Sequence, residues 1–228
     1  MVNRTGGTTG PVSINFSTTN GTAVAGQDFT STSGVLNWLD GDSAPKSIAI
    51  PLLNNPVIGP SKTLSVGLSA PVNGSIGTIA ISTLTIQEAP FASWQFNKFA
   101  VVANDPSQAG PLSDRDQDGR PNLLEYAGNT DPNQLESSPA EIVTFALDPS
   151  DGKTYLTLQF KRRLPPRDIT YHVETSTDLA NWFENSPSIF EFPAVDDGNG
   201  ITETVKARAT APVTAGPPRF IRLRITEP

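Results

Sequence analysis

The sequence predicts a mainly β chain: two antiparallel β-sandwich modules joined by a short helical segment that carries an acidic loop. Three observations predict it. Apolar residues alternate with polar ones in short runs through most of the chain. Turn-forming clusters separate those runs, and helical spacing is confined to the middle of the chain. The composition agrees: 18 Gly and 21 Pro make up about a sixth of the 228 residues, and aromatic residues only 7%. That mixture suits a turn-rich β protein better than a helical one.

Taken in order, "VSINFST" (12–18) alternates Val12, Ile14 and Phe16 against Ser13, Asn15 and Ser17, the period of a half-buried strand. "GVLNWL" (34–39), "KSIAIPLL" (46–53), "TLSVGLS" (63–69) and "GTIAISTLTI" (77–86) follow, divided by turn formers such as "DGD" (40–42) and "PVNG" (71–74). Five such strands predict a first sandwich over residues 1–88. The character then changes. Phe91, Trp94, Phe99 and Val102 recur near helical spacing, and Pro106, Gly110 and Pro111 end that pattern, so residues 89–139 predict a helical joint. Strands return in "EIVTFAL", "TYLTLQFKRRL", "ITYHVETS", "SIFEF", "ITETVKAR" and "RFIRLRIT", which predict a second sandwich over 140–228.

Charge excludes several partners. The net charge is −7, and it is unevenly spread: residues 1–90 hold three Lys/Arg against four Asp/Glu, and 91–228 hold 13 against 19. One short basic cluster, "KRR" (161–163), is no footprint for nucleic acid. With no cysteine there is no disulfide, no thiolate metal site and no cysteine nucleophile. No apolar run approaches the ~18 residues of a membrane span, and "MVNRTGGTTG" lacks the apolar core of a signal peptide. If the protein is exported, its signal is expected outside this sequence.

The acidic loop carries the chemistry. In "SDRDQDGRPNLLEY" (113–126), Asp114, Asp116 and Asp118 alternate, Gly119 follows, and Glu125 comes six residues later. This fits D-x-[DN]-x-[DN]-G-x₅-E, with the Arg120 backbone carbonyl at position 7 and Asn122 at position 9. Calcium takes six to eight hard oxygens, and alternation aims successive carboxylates inward. The competing reading is a solvated turn in which Asp118 caps a helix beginning near Pro121. It leaves Asp114 and Asp116 without a role. The pattern therefore predicts a metal site of Asp114, Asp116, Asp118, Arg120, Asn122 and Glu125 for Ca2+. Pro106, Gly110 and Pro111 forbid a continuous entering helix, and Pro121 at position 8 has no N–H to share with a partner loop. The EF-hand-like loop is thus solitary, with one exiting helix, "PNLLEYAG". Its place between the sandwiches suggests an ion that staples the joint.

Two resemblances add to this reading. "RTGG" (4–7), "GPVSINFST" (10–18), "GTAVAGQDF" (21–29), "GVLNW" (34–38), "IPL" (50–52), "LSAPVNG" (68–74) and "LTI" (84–86) resemble, in order, the motifs of Calx-beta domains. These are immunoglobulin-like modules of sodium–calcium exchangers, integrin subunits and large bacterial surface proteins. The resemblance implies an immunoglobulin-like sandwich truncated by its first strand, which in the family precedes the R-x-GG turn. It also implies calcium ligation through the position of Asp28 and acidic neighbours. Here Asn54 and Asn55 replace the acidic pair, "PVIGPSK" (56–62) stands where glutamates fall, and only Gln87 and Glu88 remain at the end. With so many charges lost, the module is expected to be structural. The acidic loop is itself similar to those of dockerins and thrombospondin type 3 repeats. With "TDP", "YHVETSTDLANW" and "RFIRLRIT", residues 91–228 resemble a C-terminal module of large secreted bacterial proteins.

Other candidates read as structure. His172, the single histidine, has no companion ligand and is expected to be a solvated strand residue. Asp131 is expected in a turn, and so are Asp196 and Asp197, within "VDDGNG". Trp182 and Phe183 are expected to plug the end of a core, although adjacent aromatics could also stack on sugar rings. No acid–base pair or triad emerges, so no catalysis is expected. The functional expectation is a non-catalytic, calcium-stabilised structural or adhesive module, extracellular or at the cell surface. Its expected partners are calcium and other surface proteins or glycans, with no nucleic acid and no membrane insertion. The alternative is a carbohydrate-binding accessory module of a secreted hydrolase.

Overall fold

The computed structural model describes residues 1–136, 141–165, 168–184, 188–214 and 219–227. It is mainly β, with antiparallel sheets and two short helices. None of the described helices is long and apolar enough to cross a membrane. The chain divides into two compact units, 1–88 and 89–228. The boundary expected between residues 139 and 140 lies outside the described residues.

In the first unit, β1 (Val12–Asn20), β2 (Ser33–Trp38), β3 (Lys62–Val72) and β4 (Ile81–Ile86) form one sheet in the order β2-β1-β3-β4. The alternation of "VSINFST" sets the register: Val12, Ile14 and Phe16 lie opposite Trp38, Leu36 and Gly34. Ile14, Leu36 and Trp38 are buried on that face, and Ile48, Leu68 and Ile76 pack against them. Phe29, Ala23 and Leu64 form a second cluster with Ile50 and Ile86. At Gly21 a Cβ would meet the Thr63 carbonyl oxygen at 2.5 Å, so a side chain there would force the backbones apart. The Arg4 guanidinium explains the "RTGG" run: it donates to the carbonyls of Thr9, Gly10, Leu39 and Asp42, pinning two turns together.

One expected strand is absent. Residues 46–53 form only single bridges, Lys46 to Val2 and Leu52 to Phe29. Ile48 and Ile50 face the two clusters, so their alternation reports burial. A ladder needs a continuous partner and a donor at each step, and here the partners touch only the ends and Pro51 has no N–H.

In the second unit, α1 (Pro90–Phe99) and α2 (Asn122–Gly128) pack against the strands that follow. These are β5 (Ile142–Asp148), β6 (Lys153–Arg163), β7 (Thr170–Ser176), β8 (Phe183–Glu184), β9 (Ile189–Glu191), β10 (Val195–Asp196), β11 (Thr202–Ala209) and β12 (Phe220–Thr226). One sheet runs β10-β11-β6-β5 with β9 also on β11, and the other runs β12-β7-β8. Leu158, Phe160, Val173, Val205 and Ala207 make the core between them.

Phe91, Leu123, Tyr126, Ala127 and Ile169 seat the helices. Asp168 ties both: it accepts the Phe91 N–H at the start of α1 (2.6 Å) and the Tyr126 hydroxyl of α2 (2.7 Å). Burial and that bond push the Tyr126 phenol above its usual range. The last carbonyls of α2 are also engaged: Arg163 donates to Tyr126 O (2.6 Å) and the Tyr171 hydroxyl to Ala127 O (2.9 Å). A seven-residue helix is too short to persist alone, so these anchors and its almost wholly buried surface hold it in place.

Candidate metal centre

The loop preceding α2 turns twice through left-handed backbone, at Gln117 (φ 64°) and Gly119 (φ 91°). The result is the inward alternation the sequence predicts: Asp114, Asp116 and Asp118 are half-buried, while Arg115, Gln117 and Gly119 are exposed. One oxygen from each of the three carboxylates lies within 4.8 Å of the others. Loop N–H groups hold them there. Gly119 N–H donates to Asp114 Oδ2 (2.9 Å), Asp118 N–H to Asp116 Oδ1 (3.3 Å) and Arg120 N–H to Asp118 Oδ1 (2.9 Å).

The helix supplies the rest. Asn122 is fully buried, and its amide nitrogen donates to the carbonyls of Gln108 (3.0 Å) and Gly110 (2.9 Å). That orientation leaves the amide oxygen as the free acceptor. Glu125 is also fully buried, with Oε1 accepting from the Thr130 hydroxyl (3.4 Å). Four buried oxygens in this set have no protein donor: Asp114 Oδ1, Asp116 Oδ2, Asn122 Oδ1 and Glu125 Oε2. Each such atom costs about 1–3 kcal/mol if nothing satisfies it, more when charged. Burial, with the nearby charges of Asp116 and Asp118, pushes the Glu125 carboxyl up to about 8. Arg120 directs its guanidinium to Glu141 at 3.4 Å, so the role predicted for it rests on its backbone carbonyl.

The structure thus brings Asp114, Asp116 and Asp118 together on the loop, and Asn122 and Glu125 into the buried face of α2. An all-oxygen set with excess negative charge suits a hard cation such as calcium. The solvated-turn reading fails on one point: Pro121, not Asp118, occupies the N-cap of α2, with no side-chain cap bond. Sequence reasoning missed the carbonyls of Gln108 and Gly110 that orient Asn122. It also missed Glu136, whose N–H reaches Asp118 Oδ2 at 3.4 Å. Gln95 of α1 donates to Ala109 O (2.6 Å) and Arg115 lies 5.7 Å over the Phe99 ring, so the loop is lashed to α1.

The other acidic position is built differently. Asp28 is buried, yet Lys62 Nζ (2.6 Å) and Asn55 Nδ2 (2.7 Å) reach Oδ1, and the Val24 N–H (2.8 Å) reaches Oδ2. Asn54 is exposed, and Glu88 belongs to the tail of the unit. The Lys62 bond, with those from Val24 and Asn55, lowers the Asp28 carboxyl to about 2. Its folded value is depressed, so the stability it contributes is present above about 3.8 and is lost as pH falls through about 2.

Among the remaining candidates, Asp131 does sit in a turn, accepting the Asn133 N–H and pairing with Lys98. Asp196 also caps a turn, whereas Asp197 binds Lys161, Thr202 and Thr204. His172 is not solvated as expected: its ring bonds Glu184 (2.6 Å) and Thr226 (3.0 Å), beside Glu174 held by Arg222 and Arg224. Trp182 is half-buried with the Arg222 guanidinium 3.9 Å over its ring, and Phe183 is 60% exposed, so this pair does not plug the core.

Fold and site together define a mainly β chain with, among the described residues, one candidate cation centre. Residues 1–90 match the Calx-beta domain family. Three solved structures are similar. The apo form of the Calx CBD1 domain is 26% identical over 37% of this chain and 75% of its own, with a TM-score of 0.36. The calcium binding domain CBD12 of CALX1.1 is 14% identical over 98% and 71%, with a TM-score of 0.41. CBD12 from CALX1.2 is 14% identical over 99% and 66%, with a TM-score of 0.40. No curated protein matches the chain.

Proposed function

We propose that the chain is a non-catalytic structural module whose second unit is stapled by one calcium ion held by Asp114, Asp116, Asp118, the Arg120 carbonyl, Asn122 and Glu125. The observation that carries this reading is the set of four buried oxygens without a protein donor, on four side chains at the predicted ligand positions. An ion there would draw α2 and the loop together. Through Gln95 and Arg115 it would also hold that loop against α1. A single loop suits stiffening better than sensing, and this sequence carries no second copy of the motif to couple with it. The Calx-beta match of residues 1–90 supports a role as a module within a larger architecture. An extracellular or cell-surface setting, with an adhesive role, fits such a module, since calcium there is abundant enough for sites of modest affinity. The carbohydrate-binding alternative would need a flat aromatic platform. Phe183 is exposed, but Trp182 is committed to Arg222.

The test is limited proteolysis of the full chain with calcium and with a chelator. Calcium is expected to suppress cleavage between residues 103 and 136. Equal cleavage rates in the two conditions would sink the proposal.

A further inference from the structure

The Calx-beta match raises the question of a cation at Asp28, and the residues present do not fit one. We infer that Lys62 is a built-in counter-cation for the buried Asp28 carboxylate, so that the first unit holds its 23–30 loop without a metal ion. Both carboxylate oxygens are already engaged, one by the Lys62 ammonium and the Asn55 amide, the other by the Val24 N–H. The Asn55 side-chain oxygen, a neutral oxygen that could ligate, instead accepts the Val57 N–H at 3.0 Å. Asp28 is only 4% exposed, and the Lys62 side chain 22%. A divalent ion entering here would have to displace an ammonium and then sit beside its positive charge. The contrast with the loop of the second unit is chemical. There, carboxylate oxygens are buried without donors, whereas here every carboxylate oxygen has one.

The bridge has mechanical reach. Lys62 is the first residue of β3, and the Asp28 backbone is tied to Val24 and Leu53, so one ammonium fixes the 23–30 loop to both the sheet and the 50–55 segment. The family's ion would be replaced by a covalently attached charge, which does not dissociate when calcium falls. The unit would therefore be equally ordered with or without the ion, and calcium response would belong to the second unit alone.

Hydrogen exchange of the full chain, followed peptide by peptide, tests this. In the unsubstituted protein, exchange across residues 20–30 and 46–66 is expected to be the same with and without millimolar calcium. Lys62→Met should speed exchange there about tenfold or more, as loss of one partner from a buried ion pair implies. Lys62→Arg, which keeps the charge, should retain most of the protection. Peptides of the second unit report separately on folding and on the loop at 113–125, so failure there would count against the calcium staple and not against this inference. Calcium-dependent protection of 20–30 in the unsubstituted protein would overturn it. So would unchanged exchange in Lys62→Met.

Discussion

Saturating calcium is expected to raise the unfolding midpoint of the second unit by about 5–10 °C. A ligand at a hundred times its dissociation constant stabilises the state that binds it by about 2.7 kcal/mol. For a unit of this size each kcal/mol moves the midpoint by roughly 2–4 °C. The effect follows from where the donors lie. Asp114, Asp116 and Asp118 sit on the loop, Asn122 and Glu125 on α2, so an ion would join segments that otherwise depend on a few side-chain bonds. In the unfolded chain these groups lose their fixed geometry, so nearly all the binding energy becomes folding energy. Calorimetric scans with and without calcium check it. The first unit's transition should stay in place.

The second large effect is a substitution with opposite consequences in the two conditions. Glu125→Gln keeps the shape of a fully buried side chain and replaces a carboxyl whose ionisation burial opposes with an amide that never ionises. Without calcium the variant is expected to be more stable than the unsubstituted protein, because the Glu125 carboxyl must take up a proton on folding and Gln need not; the advantage grows as pH rises from 4.5 to about 8. With calcium the order should reverse, because the position closing the loop can then offer only one neutral oxygen instead of two charged ones. Denaturant unfolding in both conditions reads the crossing. A purely structural Glu125 would make the variant worse in both.

Much of the fold was legible because its signals are local. The alternation in "VSINFST" and "ITETVKAR" gave β1 and β11, and the D-x-D-x-DG spacing located the loop and the start of α2. What escaped was long-range. Asp168 ties Phe91 and Tyr126 across 77 and 42 residues, and no pattern near it announces that role. Residues 46–53 show the opposite error: alternation records which side chains are buried, and it cannot say whether a partner strand runs alongside. His172 was read as solvated because only its own strand was visible; its partners Glu184 and Thr226 come from β8 and β12. In the candidate site, the types and order of the oxygen-bearing residues were in the sequence. The carbonyls of Gln108 and Gly110, which turn the Asn122 oxygen free, could only come from the fold. The Lys62–Asp28 pair had a faint signal, a lysine within the stretch where the resemblance leads one to expect acids.

The central claim is that buried, donorless oxygens of the 113–125 loop take up calcium. Its most direct test is a calorimetric calcium titration of the full chain and of Asp116→Ala. One ion per chain in the unsubstituted protein, with no binding heat in the variant, is the predicted result. Equal heats in both would contradict it.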